Sequence, residues 1–392
     1  MRVGRTVGLT AALLFMLAAG LWLGGHPAKM PAALRDVFVD ESAGLTAEAS
    51  ESIEDNYYRS VEQSNLIDSS LQGMVRGLRR RYHDRFSDYF SPESLARFTE
   101  EIEGRFSGIG LTVTGVKDGL RVESVFKGSP AERAGIEVGE TIVSVEGKSI
   151  AGLDSNAATA LIKGPEGSEV TVGVSNPKSG GTRQERLTRA QISLPVVSSK
   201  LETVDGKKLG YAHLATFSEG ADVPLRRAVR KLQGQGARGL VLDLRGNGGG
   251  LLEEAVLNAG IFLPKGETVV STDSRTQGHV VYKTEGGSLP ELPIVVLIDR
   301  NTASAAEILT AALADDAGAK TVGTRSYGKG VFQQEVDLSN GGALKLTVGE
   351  YFTPDGTNLA GRGIHPDVSA RDLPGTEPDE ALERALEVLS AR

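Results

Sequence analysis

A serine lies where a predicted strand meets a predicted helix, in the segment DRNTASAAE at residues 299–307. A helix N-terminus offers free backbone N–H groups and the positive end of the helix dipole, and both stabilise negative charge that develops during a reaction. Ser304 is therefore a candidate nucleophile. The spacing Ser304-x-x-Glu307 is equally that of a capping box, in which the hydroxyl only satisfies backbone N–H groups. Taken alone, this segment favours the cap.

A serine nucleophile needs a base, and the usual partner, histidine, is not indicated here. The five histidines show no pairing pattern, and the motif Gly-x-Ser-x-Gly is absent. Lysine can replace histidine when desolvation lowers its pKa, and Lys329 lies among glycine and apolar residues in the segment YGKGVFQ. In an extended segment Lys329 and Gln333 project to the same side, so Gln333 could hold the amine in place. The alternative interpretation of Lys329 is a solvated surface residue, which is the usual environment of a lysine that has no catalytic partner.

A glycine-rich loop follows the apolar segment LVLDL at residues 240–244. The loop, RGNGGG, has few bulky side chains, so its N–H groups can approach a substrate carbonyl closely. Gly249 or Gly250, together with Ala305, is thus a candidate oxyanion hole. A tight strand-to-helix turn that uses glycine only for its conformation explains the same residues.

A second glycine motif, GIGL, precedes a predicted strand. Consecutive N–H groups in such a turn can point into one concavity and bind the terminal carboxylate of a peptide. The candidate residues are Gly108, Ile109, Gly110 and Leu111. A glycine-flanked hairpin turn is the alternative, and the motif alone favours that turn.

The type of predicted secondary structure differs between successive regions of the chain, and these elements must position the candidate residues. Apolar residues at three- and four-residue spacing predict helices in a cap or dimerisation region at 26–104. Short β-branched segments broken by glycine predict a compact β-rich module at 105–180. Strands then alternate with helices over 181–376, which predicts a mainly parallel sheet covered by helices. With an amphipathic C-terminal helix at 377–392, the predicted fold class is multi-domain α/β.

The N-terminus has the pattern of a membrane-targeting segment. Arg2 and Arg5 precede an apolar run from Val7 to Leu23 that is about long enough to span a hydrocarbon core. Basic residues before such a run hold the N-terminus in the cytoplasm, and no clean small-x-small cleavage site follows. We therefore predict that residues 1–25 are an uncleaved single-pass anchor and that the catalytic part is extracytoplasmic. A cleaved signal peptide, and hence a secreted protein, is the alternative.

Composition excludes several classes of function. The 392 residues include 43 Lys and Arg against 51 Asp and Glu, and no basic face is concentrated enough to follow a phosphate backbone. No nucleic-acid partner is therefore expected. Cysteine is absent, which excludes disulfides, thiolate nucleophiles and cysteine-based metal sites.

The motifs occur in an order that resembles the carboxyl-terminal processing peptidases, also called tail-specific proteases. GSPAERAGI at 128–136 and GETIVSV at 139–145 look like parts of the PDZ domains of bacterial proteases. DLRGNGGG, the serine-containing helix start, and GKG with a glutamine four residues after the lysine then follow in the family's order. The resemblance covers about residues 71–368. It implies a PDZ domain joined to a crotonase/Clp-protease-like α/β catalytic core.

The resemblance also implies an activity, that of a serine endopeptidase that cuts proteins near their C-termini through an acyl-enzyme. By this resemblance Ser304 would be the nucleophile, Lys329 the general base and Gln333 the residue that orients it. Ala305 with the Gly249–Gly250 pair would bind the oxyanion. This mechanism needs no metal or cofactor, and activity should rise with pH because only a neutral amine accepts a proton.

The PDZ resemblance implies a class of partner: proteins or peptides whose apolar C-terminal tail adds as a strand to the edge of the sheet. Lys163, at the end of the helix beside the groove, is a candidate gating contact with the catalytic domain, although a solvated lysine explains it as well. Ala306 stands where a serine is common in the family, and we expect this difference to change local hydrogen bonding rather than activity. The N-terminal helices suggest a homodimer.

Two other classes of function fit parts of the sequence. GTRSYGK at 323–329 is nearly a phosphate-binding P-loop, but Gly330 stands where a Ser or Thr must contact magnesium, and residues 331–336 look extended rather than helical. A catalytically inactive PDZ scaffold is the second alternative. It is disfavoured because the serine, lysine and glutamine of the family pattern occur together.

Overall fold

The computed structural model describes residues 41–177, 180–287, 289, 292–371 and 379–392, together with Met16 and Gly20. Apart from these two residues, the predicted anchor at 1–25 and the beginning of the predicted helical region lie outside the described ranges. Within those ranges, no helix is both long enough and apolar enough to cross a membrane.

The chain divides into two compact units. The first unit ends at Pro92 and also includes Glu335–Leu346, whereas the second comprises Glu93–Gln334 and Thr347–Arg392. The candidate residues for nucleophile, base, oxyanion hole and peptide binding all belong to the second unit.

The first unit contains the elements α1 (Glu41–Asn56), α2 (Gln63–Tyr82) and β1 (Asp88–Phe90). Helix α2 ends at His83, which has φ 57°, and three arginines in its last turn lie at the negative end of the helix dipole. Strand β1 pairs antiparallel with Ala343–Lys345. The periodicity of the sequence predicted the helices but not this short strand, in which the buried Tyr89 bonds through its hydroxyl to Asp68 at 2.5 Å.

Helix α3 (Pro92–Glu103) begins at a proline, which suits the first helical position because a backbone N–H there would have no partner within the helix. The β-rich module then consists of β2 (Arg105–Gly108), β3 (Leu111–Val116), β4 (Gly119–Val125), α4 (Pro130–Arg133), β5 (Thr141–Val145), β6 (Lys148–Ser149), α5 (Ser155–Ile162), β7 (Glu169–Ser175), β8 (Thr182–Thr188) and β9 (Ala190–Ser193). Strands β3, β4, β5, β7 and β8 form an antiparallel sheet in that order, and β2 pairs with β9. Strand β3 therefore lies at an edge, and β8 extends the sheet beyond residue 180.

The α/β core contains β10 (Val197–Val204), β11 (Lys207–Leu214), α6 (Asp222–Gly234), β12 (Leu240–Asp243), α7 (Leu252–Ala259), β13 (Thr268–Ser274), β14 (Gly278–Lys283), β15 (Ile294–Ile298), α8 (Ala305–Asp316), β16 (Lys320–Gly323), β17 (Val331–Asp337), β18 (Ala343–Phe352), β19 (Val368–Ser369) and α9 (Glu380–Ser390). Its main sheet has the order β10-β11-β12-β15-β16-β19, and every pair except β10-β11 is parallel. The predicted multi-domain α/β class is confirmed. A second, antiparallel arrangement joins β13 to β14 and to β18.

Helices cover both faces of the main sheet. Successive side chains of a strand point to opposite faces. Leu240 and Leu242 accordingly belong to the core cluster that includes residues of α6, α7 and α8, whereas Val241 belongs to the cluster that includes α9. Because a strand buried on both faces is apolar at every position, the central strands read as short continuous apolar runs in the sequence.

An ion pair between a buried glutamate and a half-buried arginine stabilises the β-rich module. Arg183 donates hydrogen bonds to both carboxylate oxygens of Glu140, at 2.5 and 2.8 Å, and Asn176 donates a third at 3.0 Å. The bonds from Arg183 outweigh the effect of burial and lower the pKa of Glu140 from 4.5 to about 2.

We expect Glu140→Gln to lower the free energy of unfolding at neutral pH by about 2 kcal/mol, because it removes the charged partner of Arg183. A carboxyl group whose folded-state pKa is lowered stabilises the fold above its unfolded-state pKa of 4.5 and loses this effect as the pH falls toward 2. Urea unfolding at neutral and acidic pH should show the variant and the parent converging in acid. Glu123→Gln, at an exposed site on β4, is the control, and an equal loss in both variants would contradict the assignment.

Candidate active site

Ser304 stands between β15 and α8 in a strained backbone conformation. Its φ of 56° and ψ of −120° are rare for a residue with a side chain and cost on the order of 1–3 kcal/mol. Buried bonds hold the turn: Thr302 Oγ1 donates to the Leu244 carbonyl at 2.8 Å, and the Ala303 N–H donates to the Asn247 carbonyl at 3.0 Å. Strain that the surroundings enforce in this way clusters at functional sites.

The side chain of Glu307 is fully buried at the first turn of α8. One carboxylate oxygen accepts hydrogen bonds from the Ser304 N–H at 3.0 Å and the Lys329 N–H at 3.1 Å. The other accepts from Ser326 Oγ at 2.5 Å and the Gly328 N–H at 2.7 Å. A buried carboxylate is tolerated when its oxygens are satisfied by donors in this way.

Glu307 therefore joins the turn of the candidate nucleophile to the segment of the candidate base. The sequence had indicated Glu307 only as the capping-box partner of Ser304, and its carboxylate does accept the Ser304 N–H. Its bonds to residues about twenty positions later had no signal in the sequence, because no local spacing relates the two segments.

Lys329 and Gln333 meet as the predicted extended conformation requires. Lys329 Nζ donates to Gln333 Oε1 at 2.7 Å, and Gln333 Nε2 donates to Thr347 Oγ1 at 3.4 Å. The glycines on either side of Lys329 have positive φ, and a Cβ at Gly330 would lie 2.5 Å from the backbone nitrogen of Ala360. Glycine is therefore needed there to let the two segments approach closely.

The glycine loop after β12 lies directly against the Ser304 turn. A Cβ at Gly249, where φ is 102°, would lie 2.8 Å from Ser304 Cβ and 3.0 Å from the Ala305 nitrogen. The Gly249 N–H, however, already donates to Oδ1 of the buried Asn247 at 2.9 Å. The N–H groups of Gly250 and Ala305 have no hydrogen-bond acceptor among the described residues. Of the expected oxyanion donors, Gly250 and Ala305 are thus available, and Gly249 is occupied because Asn247 fixes the loop.

A cavity of about 360 Å³ lies beside the GIGL motif in the β-rich module. All four residues Gly108, Ile109, Gly110 and Leu111 line it, together with mainly apolar side chains from β3, α5 and nearby segments. Gly110 has φ 83°, and a Cβ there would lie 2.3 Å from that of Ser129. The motif therefore needs glycine for a close approach and also borders a space suited to an apolar side chain.

The observed partner of Lys163, the candidate gating residue, is a glutamate of helix α3. Lys163 Nζ donates to Glu100 Oε2 at 2.6 Å and lies 5.6 Å from the centroid of the Phe106 ring. Glu100 belongs to α3, and all three residues line the cavity beside the GIGL motif. The observed contact of Lys163 is therefore with the helix that precedes the β-rich module.

The Ala306 side chain, at a position where a serine is common in the resembled family, is fully buried in the main core cluster. The segment after Gly330 is strand β17, not the helix that follows a P-loop.

In the part of the chain that the structure describes, no group of three or more His, Asp or Glu side chains could hold a metal ion.

Comparison with protein families gives two matches. A model of peptidase family S41 matches residues 208–370, which cover most of the α/β core. A model of the PDZ domain matches residues 121–175 in the β-rich module.

Individual proteins similar to this chain are also proteases of the carboxy-terminal processing type. The chain is 36% identical over 327 residues to the carboxy-terminal processing protease CtpA of Bacillus subtilis (strain 168), covering 83% of this chain and 68% of that protein. It is 33% identical over 333 residues to CtpB of the same organism, with 85% and 68% coverage. Among solved structures, the photosystem II D1 C-terminal processing protease aligns with a TM-score of 0.51 and 30% identity, over 90% of this chain and 98% of that one.

We expect Glu307→Gln to lower the free energy of unfolding by about 2–4 kcal/mol, because an amide NH₂ would face donors that now bond to a carboxylate. Denaturant unfolding of the purified chain measures the change. The matched control is Glu253→Gln, at an exposed position in the first turn of α7, which should change the free energy by less than about 0.5 kcal/mol. Equal effects of the two substitutions would show that the four hydrogen bonds do not hold this site together.

Proposed function

We propose that Ser304 and Lys329 form the catalytic pair of this chain, which belongs to peptidase family S41 and is a C-terminal processing serine protease with a PDZ domain. The observation that carries the assignment is the Glu307 carboxylate, which accepts hydrogen bonds from the backbone N–H groups of both residues. A protein that uses Ser304 only as a helix cap has no need to tie its turn to a lysine segment.

In the proposed mechanism the neutral Lys329 amine takes the Ser304 hydroxyl proton while Ser304 Oγ attacks the scissile carbonyl. The oxyanion that forms accepts hydrogen bonds from the N–H groups of Ala305 and Gly250. The lysine ammonium then returns the proton to the leaving amine as the C–N bond breaks. Water, deprotonated by the same amine, then attacks the carbonyl of the acyl-enzyme, and the ammonium returns this proton to Ser304 Oγ as the ester bond breaks.

Gln333 and the glycines beside Lys329 keep the base in position. The bond from Lys329 Nζ to Gln333 Oε1 uses one of the donors of the amine and aims its long side chain. Because a flexible lysine loses much side-chain entropy when it is fixed, such a partner makes the productive geometry more frequent.

We further propose that the PDZ domain delivers the substrate tail. Strand β3 lies at the edge of its sheet, so a C-terminal tail can pair with its unpaired backbone groups. The GIGL motif would bind the terminal carboxylate, and the cavity of about 360 Å³ would take an apolar terminal side chain.

The location and assembly of the protein belong to the same proposal. The apolar run from Val7 to Leu23, with basic residues before it, supports a single-pass anchor and an extracytoplasmic protease. Exposed apolar side chains on α2, among them Ile67 and Met74, support a homodimer through the N-terminal helices. Domain boundaries at residues 25, 104, 180 and 376 complete the proposed organisation.

We expect Ser304→Ala and Lys329→Met each to lower cleavage of a reporter protein with an apolar C-terminal tail by about 10³-fold or more. Intact-mass spectrometry of the reporter gives the rate and the cleavage positions. Lys231→Met, at an exposed position on α6, removes the same charge elsewhere and should cut at the parent rate. Cleavage by Lys329→Met at the parent rate would rule out Lys329 as the base, and binding without cleavage by the parent chain would favour an inactive scaffold.

We expect Thr159→Glu to weaken binding of a fluorescent peptide ending in valine by about tenfold or more, because Thr159 lines the apolar cavity and a carboxylate there would be poorly solvated. Ala160→Glu adds the same charge at an exposed position next to it on α5 and should leave the affinity within about twofold. Fluorescence anisotropy in the Ser304→Ala background measures both. The proposal fails if the two variants weaken binding equally, or if the C-terminal amide of the peptide binds as well as the acid.

A further inference from the structure

A second large cavity, of about 780 Å³, lies at the carboxyl ends of the central strands of the main sheet. Asp243, Ile298 and Gly323, the last residues of β12, β15 and β16, line it, as does Ala381 of α9. In open α/β sheets the carboxyl ends of the strands are where ligands bind. None of the proposed catalytic residues lines this cavity.

Four arginines line this space, which we call the arginine cavity: Arg245, Arg300, Arg325 and Arg371. Arg245 is paired with Asp243 and with Asp379, each at 2.7 Å. The side chains of the other three have no hydrogen bond and no ion pair within the described ranges of the chain. In a chain with a formal net charge of −8, three unpaired guanidinium groups around one cavity are a marked local excess of positive charge.

Two carboxylates line the cavity against four guanidinium groups, so they offset the positive charge only in part, and neither forms an ion pair with the three unpaired arginines. Asp243 accepts from Arg245 and from the Tyr211 hydroxyl at 2.9 Å. Asp299 accepts from the N–H groups of Gly246, Asn301 and Thr302 at 2.9 to 3.0 Å.

The three unpaired arginines occupy equivalent places on neighbouring strands. Arg300, Arg325 and Arg371 each lie two residues beyond the end of β15, β16 and β19. The register of the parallel sheet aligns these ends, since Ile298 pairs with Gly323 and Gly323 pairs with Ser369. Adjacent strands are about 4.8 Å apart, so the three positions form a row of roughly 10 Å.

A row of this length is too long for a single phosphate or carboxylate group, but it matches several anionic groups spaced along a chain. Guanidinium groups bind carboxylates through two parallel hydrogen bonds. We propose that the arginine cavity binds an acidic segment of a polypeptide, with successive Asp or Glu side chains placed against Arg300, Arg325 and Arg371.

Binding of an acidic segment to the arginine cavity would affect the proposed catalytic pair, because two of the arginines lie close to it in the chain. Arg300 is four residues before Ser304, and Arg325 is four residues before Lys329. A single acidic segment would therefore contact both loops that lead to the proposed catalytic pair. The binding itself depends only on charge and register, so it is expected whether or not Ser304 is the nucleophile.

Fluorescence anisotropy of the full chain carrying Ser304→Ala tests the proposal with a labelled peptide of eight glutamates. We expect saturable binding that weakens with added salt, and much weaker binding of a peptide of eight glutamines. Combining Arg300→Gln, Arg325→Gln and Arg371→Gln should weaken binding of the glutamate peptide by about tenfold or more.

The matched control combines Arg121→Gln, Arg227→Gln and Arg230→Gln, which remove the same charge at exposed positions on β4 and α6. It should leave the affinity within about twofold. An equal loss in both triple variants would show unspecific attraction and overturn the proposal. Complete displacement of the peptide by inorganic phosphate at an equal concentration would also overturn it, because it would indicate a site for one small anion.

Discussion

The buried carboxylate of Glu307 forms the interactions on which the arrangement of the candidate active site depends. Its two oxygens accept four hydrogen bonds, one from the turn of Ser304 and three from the segment that ends at Lys329. A buried carboxylate must accept hydrogen bonds from nearby donors. Because the Ser304 turn and the segment that ends at Lys329 both donate to Glu307, their positions relative to each other are fixed. The hydrogen-bonding requirement of one side chain thereby becomes a constraint on the relative position of the proposed nucleophile and base.

The parallel sheet sets the positions around this carboxylate. Strand β15 leads into the strained turn of Ser304, β16 into the lysine segment and β12 into the glycine loop. Gly249 of this loop lies against Ser304. Because parallel strands all end at the same edge of the sheet, residues far apart in the chain meet there. The same edge also brings three arginines into a row, so one architectural feature supports both the proposed catalytic site and the proposed site for acidic ligands.

In the proposed function, the PDZ domain selects a chain end. An edge strand offers backbone groups to any extended peptide, which gives affinity without much sequence preference. In the proposed function, selectivity therefore comes from the GIGL motif and from the cavity that it lines. Lys163 and Glu100 form an ion pair at the border of that cavity, so helix α3, and not the PDZ domain alone, shapes it.

The sequence by itself determined the class of fold, the order of the modules and the family. Apolar runs, glycine turns and helix-start residues are local patterns, and Ser304, Lys329 and Gln333 stand in short motifs with recognisable spacing. Even the meeting of Lys329 with Gln333 follows from the two-residue period of an extended segment.

Only the tertiary structure decided which distant groups became partners. It placed Glu307 beside the lysine segment, paired Lys163 with Glu100 and aligned Arg300 with Arg325 and Arg371. None of these contacts follows from local spacing, because strand register and loop packing are set by burial and hydrogen bonding over the whole sheet, to which each local segment contributes only a part.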